Sequence, residues 1–137
     1  MPEGKLLKTK RWHHVAGVYD GKTASLFVDG RRVASVEASG ARTKNDHPLF
    51  VGADPNPNGN PVDMLRGQID EVRLSSVARY SSAFTPRRRH RVDSATLLLL
   101  HLDREVGPLT PDSSGRGAHG TLQKRARCGT PLLPLKR

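Results

Sequence analysis

Two Asp-Gly dipeptides, at positions 20–21 and 29–30, constrain the fold of this chain more than any other feature. An Asp-Gly pair favours the tight turn of a β-hairpin, because both residues tolerate positive φ. The pairs separate segments in which apolar and polar residues alternate, the pattern of half-buried β-strands. These segments are residues 12–19 (WHHVAGVY), 23–28 (TASLFV) and 31–37 (RRVASVE). Two hairpins in such close succession predict an antiparallel meander.

Four later segments have the length and composition of strands. Residues 49–53 (LFVGA) form a short apolar run, and residues 67–77 begin with GQIDEVRL. Residues 95–102 (ATLLLLHL) are almost continuously apolar, as in a strand buried on both faces, and residues 118–122 could add a short strand. No window has the sustained i, i+3, i+4, i+7 apolar spacing of a helix. The sequence therefore predicts an all-β fold.

Composition agrees with a single domain built from short strands. The 137 residues include 35% hydrophobic but only 4% aromatic residues, with 13 glycines and 10 prolines that suit many turns. No run of 18 apolar residues is present, so no membrane span is predicted. Residues 1–10 lack the apolar core of a secretory signal. Cys128 is the only cysteine, which leaves it neither an internal disulfide partner nor a metal-binding spacing.

The formal net charge of +10 is concentrated in two places. One cluster is residues 87–91 (RRRHR), and the second comprises Lys124, Arg125, Arg127, Lys136 and Arg137. A basic surface attracts polyanions, so binding of a polyanion or nucleic acid through the tail is one alternative function. Nucleic-acid modules usually combine such charge with stacking aromatic residues or a recognition helix. Neither accompanies these clusters, and we expect a solvated connector and a basic tail instead.

Three segments together resemble the laminin G-like, concanavalin A-type jelly-roll superfamily, closest to bacterial members that occur as repeats in large extracellular proteins. They are residues 12–34 (WHHVAGVYDGKTASLFVDGRRVA), 48–54 (PLFVGAD) and 67–80 (GQIDEVRLSSVARY). The resemblance implies an antiparallel β-sandwich that acts as a binding module for carbohydrate or glycoconjugate, outside the cell or at its surface. A protein-interaction or spacer module of a larger extracellular protein is the alternative within the same resemblance.

The order of the segments departs from the family pattern. Residues 96–107 (TLLLLHLDREVG) and 112–122 (DSSGRGAHGTL) resemble the segment that normally opens such a domain, yet here they come last. They could fold back and complete the sandwich as a circular permutant, in one chain or across a homodimer. Alternatively, they start a next repeat and leave the first core incomplete. We favour the fold-back, because four consecutive leucines require burial.

The expected organisation follows from this comparison. It consists of a basic N-terminal extension (residues 1–10), the main part of the sandwich (11–80), a basic connector (81–94), the opening-type strands (95–122) and a basic, disordered tail (123–137). Tyr80 and Phe84 are expected to tie the connector to the sandwich.

Asp70 is an acid inside an otherwise apolar strand pattern, where an unpaired buried carboxylate would be costly. The resemblance implies that Asp70 ligates Ca²⁺ together with backbone carbonyls of the loop that runs from Asp112 to Gly117. Calcium suits such a place, since it accepts six to eight oxygen ligands in flexible geometry. The alternative is that Asp70 is hydrogen-bonded to a neighbouring loop or paired with an arginine.

Residues 54–59 satisfy D-x-N-x-N-G, the opening of a calcium loop. However, Leu65 occupies the twelfth position, where such a loop has glutamate, and no helices flank the segment. We therefore expect an ordinary connecting loop at the rim of the sandwich, where ligands are commonly contacted. The candidate ligand-binding residues are Asp54, Asn56, Asn58, Asn60 and the aromatic Tyr19. Trp12 is expected in the core.

No catalytic constellation is evident. The four glutamates, at positions 3, 37, 71 and 105, do not form the paired array that glycoside hydrolysis requires. His13 and His14 are adjacent on a strand and point to opposite faces, so they cannot bind one metal together. The sequence predicts a non-catalytic module.

Overall fold

The computed structural model describes residues 7–40, 46–123 and 126–129 of the chain. These residues contain strands and turns but no helix, and every pair of strands is antiparallel. The strands are β1 (Val15–Tyr19), β2 (Thr23–Val28), β3 (Arg31–Glu37), β4 (Asp54–Pro55), β5 (Pro61–Val62), β6 (Val72–Ser75), β7 (Thr96–Leu100), β8 (Leu109–Thr110) and β9 (Gly120–Thr121). The fold is the predicted all-β antiparallel sandwich.

Strands β1, β2 and β3 form the predicted meander, in the order β1-β2-β3. At the second turn Asp29 and Gly30 have φ of 49° and 79°, as an Asp-Gly hairpin requires. Gly30 has a second constraint, because a Cβ at this position would overlap the carbonyl oxygen of Phe84. The backbone N–H of Phe84 donates to the Gly30 carbonyl at 2.9 Å, so the turn docks on the later chain.

The strand predicted at residues 49–53 is wrong. Gly52 has a φ of 79°, which breaks an extended run, and Leu49 and Val51 are exposed rather than buried. The local pairing instead joins β4 to β5 across the asparagine-rich loop, with Asp54 opposite Val62. Apolar composition alone therefore misplaced this strand by a few residues.

Strands β6 and β7 form a second sheet, with Val72 opposite Leu100 and Leu74 opposite Leu98. Strand β6 is shorter than the predicted strand at residues 67–77, because Glu71 has a φ of 56° and interrupts the extended chain. The leucine segment thus lies against the segment GQIDEVRL in the same chain. The five-part organisation, and the choice between a permuted domain and a next repeat, stay predictions.

The backbone of Leu99 shows which edge of β7 is already used. Its N–H donates to Oδ1 of Asp112 at 3.0 Å, and its carbonyl accepts from the N–H of Ser113 at 2.8 Å. Both groups therefore point away from β6, and β6 occupies the other edge of β7. Strands β8 and β9 pair with each other nearby, and a bridge joins Leu100 to Asp112.

A layer of aromatic rings connects the two sheets. Tyr80 and Phe84 stack with ring centroids 3.5 Å apart, as predicted for the residues that tie the connector down. Phe84 also lies 5.7 Å from the ring of Phe27, which is fully buried on β2. His90 is buried as well, and its N–H donates to Glu71 at 2.8 Å. The connector is thus anchored on the sandwich through Phe84 and His90, while most of its other residues are exposed.

Candidate functional site

A cleft of about 1380 Å³ separates β1 from β6. Every residue of these two strands lines it, so the cleft is bounded by two strand edges; we call it the interstrand cleft. Strand β1 pairs only with β2, and β6 pairs only with β7, within the described residues. The two edges that face the cleft therefore lack strand partners in the part of the chain that the structure describes.

Aromatic and histidine side chains line the interstrand cleft between the two edges. They include Trp12, His14, Tyr19, Tyr80 and His90. Burial lowers the pKa of both His14 and His90, and the positive charge of Arg73 lowers each further. Nδ1 of His14 and Nε1 of Trp12 are buried, and neither atom forms a hydrogen bond with a described residue. The cleft thus contains unsatisfied polar atoms beside apolar surface.

The carboxylates that line the cleft are largely committed to other groups. Asp29 accepts from Nδ1 of His13 at 2.8 Å and from the N–H of His14 at 3.0 Å. Asp20 accepts from two backbone N–H groups of its own turn. Glu71 is paired with Arg89 and His101. Asp70 is the cleft carboxylate without such a partner in the described chain.

Three of the four arginines that line the cleft form no ion pair with a described residue. The exception is Arg79, which forms an ion pair with Asp93 at 2.6 Å. Arg73 donates at 3.1 Å to the neutral hydroxyl of Tyr80. Arg87 and Arg88 line the cleft and form no ion pair with any described residue. The charge available to a ligand is therefore mainly positive.

Asp70 and Glu71 are adjacent in the chain but occupy different environments. The side chain of Glu71 is only 8% exposed, and its carboxylate lies 2.7 Å from Nδ1 of His101 and 3.5 Å from Nη1 of Arg89. Asp70 is half-buried, and burial together with the negative charges of Glu71 and Asp103 raises its pKa. Sequence reasoning selected Asp70 and missed Glu71. Arg89 and His101 are basic residues of the sequence, but no local sequence pattern predicts that they contact Glu71.

Asp112 has a different environment from Asp70. Its two carboxylate oxygens accept from four groups: the N–H of Leu99, the N–H and Oγ of Ser114, and the N–H of Ala118, at 2.6–3.1 Å. Burial alone would raise the pKa of Asp112, but these hydrogen bonds outweigh it and hold the pKa at about 2. Asp112 does not line the interstrand cleft, whereas Asp70 does.

The expected calcium ligands were Asp70, Asp112 and Gly117. An environment of N–H and O–H donors stabilises the Asp112 carboxylate without a cation. Calcium binding by Asp70 and the backbone carbonyls of the loop from Asp112 to Gly117 stays a prediction. Gly117 has a φ of 73° in the loop that supplies the Ala118 N–H. Within the described residues, no three His, Cys, Asp or Glu side chains are grouped closely enough to bind a metal.

The predicted ligand-binding residues fall in two places. Asn56 fixes the loop between β4 and β5, since its Oδ1 accepts from the N–H groups of Asn58 and Asn60 at 3.0 and 2.9 Å. Asp54, Asn58 and Asn60 are exposed on the same hairpin. Tyr19 lies instead at the interstrand cleft, and its hydroxyl donates to the Gly40 carbonyl at 3.1 Å. The structure therefore separates Tyr19 from the asparagine loop.

The basic tail proposed for polyanion binding lies mostly outside the described residues, which include only residues 123 and 126–129 of it. Cys128 is a half-buried free thiol in that part. Among residues 7–40, 46–123 and 126–129, no helix has the length and apolar character of a membrane span.

Comparison with known proteins agrees with the fold. No curated protein and no solved structure is detectably similar to the chain. A laminin G-like family model, described as the concanavalin A-like lectin/glucanases superfamily, matches residues 2–83, which is more than half of the chain. Laminin G-like domains are generally binding modules. The chain therefore belongs to the laminin G-like group of the concanavalin A-like lectin/glucanases superfamily.

Proposed function

We propose that this chain is a non-catalytic binding module that recognises carbohydrate through the hairpin of β4 and β5. The observation that carries the proposal is the way Asn56 holds this loop. Its side chain accepts two backbone hydrogen bonds, and the backbone N–H of Asn56 donates to the Asn60 carbonyl at 2.8 Å. The loop is thus ordered before any ligand arrives, which reduces the entropy cost of binding.

Exposed polar side chains on the ordered loop support the same proposal. Asp54, Asn58 and Asn60 are exposed and can exchange hydrogen bonds with sugar hydroxyls. Two apolar side chains that follow β5, Met64 and Leu65, are 44% and 56% exposed and can cover a sugar face. Polar groups beside apolar surface are the general features of a small-ligand site.

A non-catalytic role is supported by the state of the buried acid. Retaining or inverting glycoside hydrolysis needs two carboxyl groups that face one substrate bond. Glu71, the buried glutamate, is committed to His101, Arg89 and the N–H of His90. It therefore supports the packing of the connector rather than a substrate.

A glycan array probed with the full chain tests the carbohydrate proposal. The triple variant Asp54→Ala/Asn58→Ala/Asn60→Ala should lose glycan signals that the parent chain gives. A matched control, Glu37→Ala/Ser39→Ala, changes exposed polar residues elsewhere and should keep them. Each array is repeated with calcium and with chelator, which tests calcium assistance separately. Absence of any glycan signal from the parent chain would contradict the proposal.

A second candidate function, binding of a polypeptide partner, is favoured by a different observation. The interstrand cleft presents two strand edges that lack partners in the described chain. Such edges readily accept another strand. This surface does not include the asparagine loop, so the two candidate functions can be tested separately.

A further inference from the structure

The hydrogen-bond pattern shows which backbone groups of β1 face the interstrand cleft. The Asp29 N–H donates to the His14 carbonyl at 2.8 Å, which makes these two residues a hydrogen-bonded pair. In an antiparallel pair, alternate residues bond to the neighbouring strand and the others point away. The N–H and C=O groups of Val15, Gly17 and Tyr19 therefore point away from β2, toward the cleft.

The same reasoning applies to β6. Leu99 uses its backbone groups on the far edge of β7, so the pair Arg73–Leu99 is not hydrogen-bonded across the two strands. Consequently the N–H and C=O of Arg73 point away from β7 and toward the cleft. Backbone donors and acceptors of three β1 residues and of Arg73 on β6 thus point toward the cleft. One extended chain placed between them could bond to both.

Exposed apolar side chains at the cleft would also be covered by an inserted strand. Val15 on β1 is 53% exposed and Leu74 on β6 is 42% exposed, and both line the cleft. Inserted apolar side chains at alternate positions would cover them, since side chains of a strand alternate between the two faces of a sheet. A sugar does not supply backbone groups at this regular spacing.

The charged side chains that line the cleft indicate which kind of strand it would bind. Of the four carboxylates that line the cleft, all but Asp70 are held by ion pairs or hydrogen bonds, whereas two arginines, Arg87 and Arg88, form no ion pair among the described residues. Among the described residues, the side chain of Arg73 donates a hydrogen bond only to the neutral hydroxyl of Tyr80. A complementary partner carries negative charge, which steers and orients its association.

We propose that the interstrand cleft binds one extended, acidic polypeptide strand of a partner protein, which hydrogen-bonds to β1 on one side and to β6 on the other. The insertion joins the three-stranded and two-stranded sheets into one continuous sheet. Recognition by strand addition supplies affinity through main-chain hydrogen bonds and specificity through alternate side chains. A partner segment that matches the five residues of β1 spans about 17 Å. The proposal rests on the second candidate function and is independent of carbohydrate binding.

Fluorescence anisotropy with a labelled, end-blocked heptapeptide EVTVEVE and the full chain tests this proposal. The acidic peptide should bind about tenfold more tightly than the charge-reversed KVTVKVK. N-methylation of its odd-numbered residues, and separately of its even-numbered residues, should each weaken binding about tenfold or more. Both sets are needed because alternate N–H groups of an inserted strand point to opposite neighbours. Sensitivity to only one set would indicate a single edge and overturn insertion.

Protein variants locate the peptide. Arg87→Ala/Arg88→Ala should weaken binding of the acidic peptide about tenfold. Arg91→Ala, which is exposed but does not line the cleft, should leave it unchanged. Circular dichroism checks that both variants remain folded. No binding of EVTVEVE, or equal effects of the two variants, would overturn the proposal. Sedimentation that shows a dimer which the peptide cannot dissociate would assign the cleft to a second copy of the chain instead.

Discussion

The carboxylate of Glu71 lies 2.7 Å from Nδ1 of His101, thirty positions later in the chain, and fixes the start of β6 beside the end of β7. Glu71 also has a positive φ, which interrupts the extended backbone just before β6. His90 and Arg89 bond to the same carboxylate. One buried acid therefore connects the segment GQIDEVRL, the basic connector and the leucine strand.

Replacement of Glu71 by glutamine should lower the free energy of unfolding by about 1–3 kcal/mol, because charged hydrogen-bond partners at a buried site lose their counter-charge. Urea unfolding at neutral pH measures the change. Glu37→Gln, on the exposed end of β3, serves as the matched control and should change stability by less than about 0.5 kcal/mol. Equal stability of both variants would mean that the Glu71 contacts contribute nothing.

Leu99→Ala and Leu97→Ala form a matched pair on one strand. Leu99 is 0% exposed, so its truncation should cost about 2–5 kcal/mol. Leu97 is 39% exposed and lies beside the register shift between Leu74 and Ser75, so its truncation should cost less than about 1 kcal/mol. Thermal unfolding distinguishes them. Small effects at both positions would mean that the leucine strand is not packed on β6 in solution.

Gly30→Ala tests the docking of the β2–β3 turn on Phe84. A methyl group there would overlap the Phe84 carbonyl, in addition to the strain of positive φ. Gly21→Ala is the control, since Gly21 also has positive φ but has open space around it. Gly21→Ala should cost about 1 kcal/mol and Gly30→Ala several times as much. Comparable denaturation midpoints for the two variants would contradict the close approach of Phe84 to the turn.

Stability should fall as the pH drops from about 4 toward 2. The folded pKa of Asp112 is about 2, below the ordinary 3.8, so its contribution is present above pH 4 and is lost on protonation. The pKa of Asp93 is also depressed, by its hydrogen bonds with Arg79 first and with Thr96 second. The midpoint of Asp112→Asn should depend less steeply on acid pH than that of the parent. The exposed Asp46→Asn should retain the steep slope; identical slopes for all three would refute the role of Asp112.

Removal of calcium should leave the stabilisation that Asp112 provides unchanged, because four protein donors hold its carboxylate without a cation. Differential scanning calorimetry in calcium and in chelator measures this directly. Asp70→Asn provides a second readout, since it should not alter the response to calcium. A midpoint that rises with calcium in the parent and not in Asp70→Asn would instead support the ligand role expected from the resemblance.

The local part of this fold was predictable from sequence, and the non-local part was not. The bounds of β2 and β3 were predicted correctly because Asp29-Gly30 specifies its own turn. The interruption before β6 was missed, since Glu71 has a positive φ that no local sequence pattern indicates, and its partners Arg89 and His101 lie far along the chain. Similarly, the sequence identified Asp112 as important without showing that backbone N–H groups surround it. Turn chemistry is short-range, whereas charge burial depends on tertiary contacts.

Trp12, the only tryptophan of the chain, lines the interstrand cleft beside His14. Indole emission from the protein therefore originates at this one place and responds to the polarity around it. Entry of a ligand that excludes water would shift the emission to shorter wavelength, whereas a ligand held at the asparagine loop would leave it unchanged. The molecule thus carries an intrinsic optical reporter that distinguishes its two candidate binding surfaces without any label.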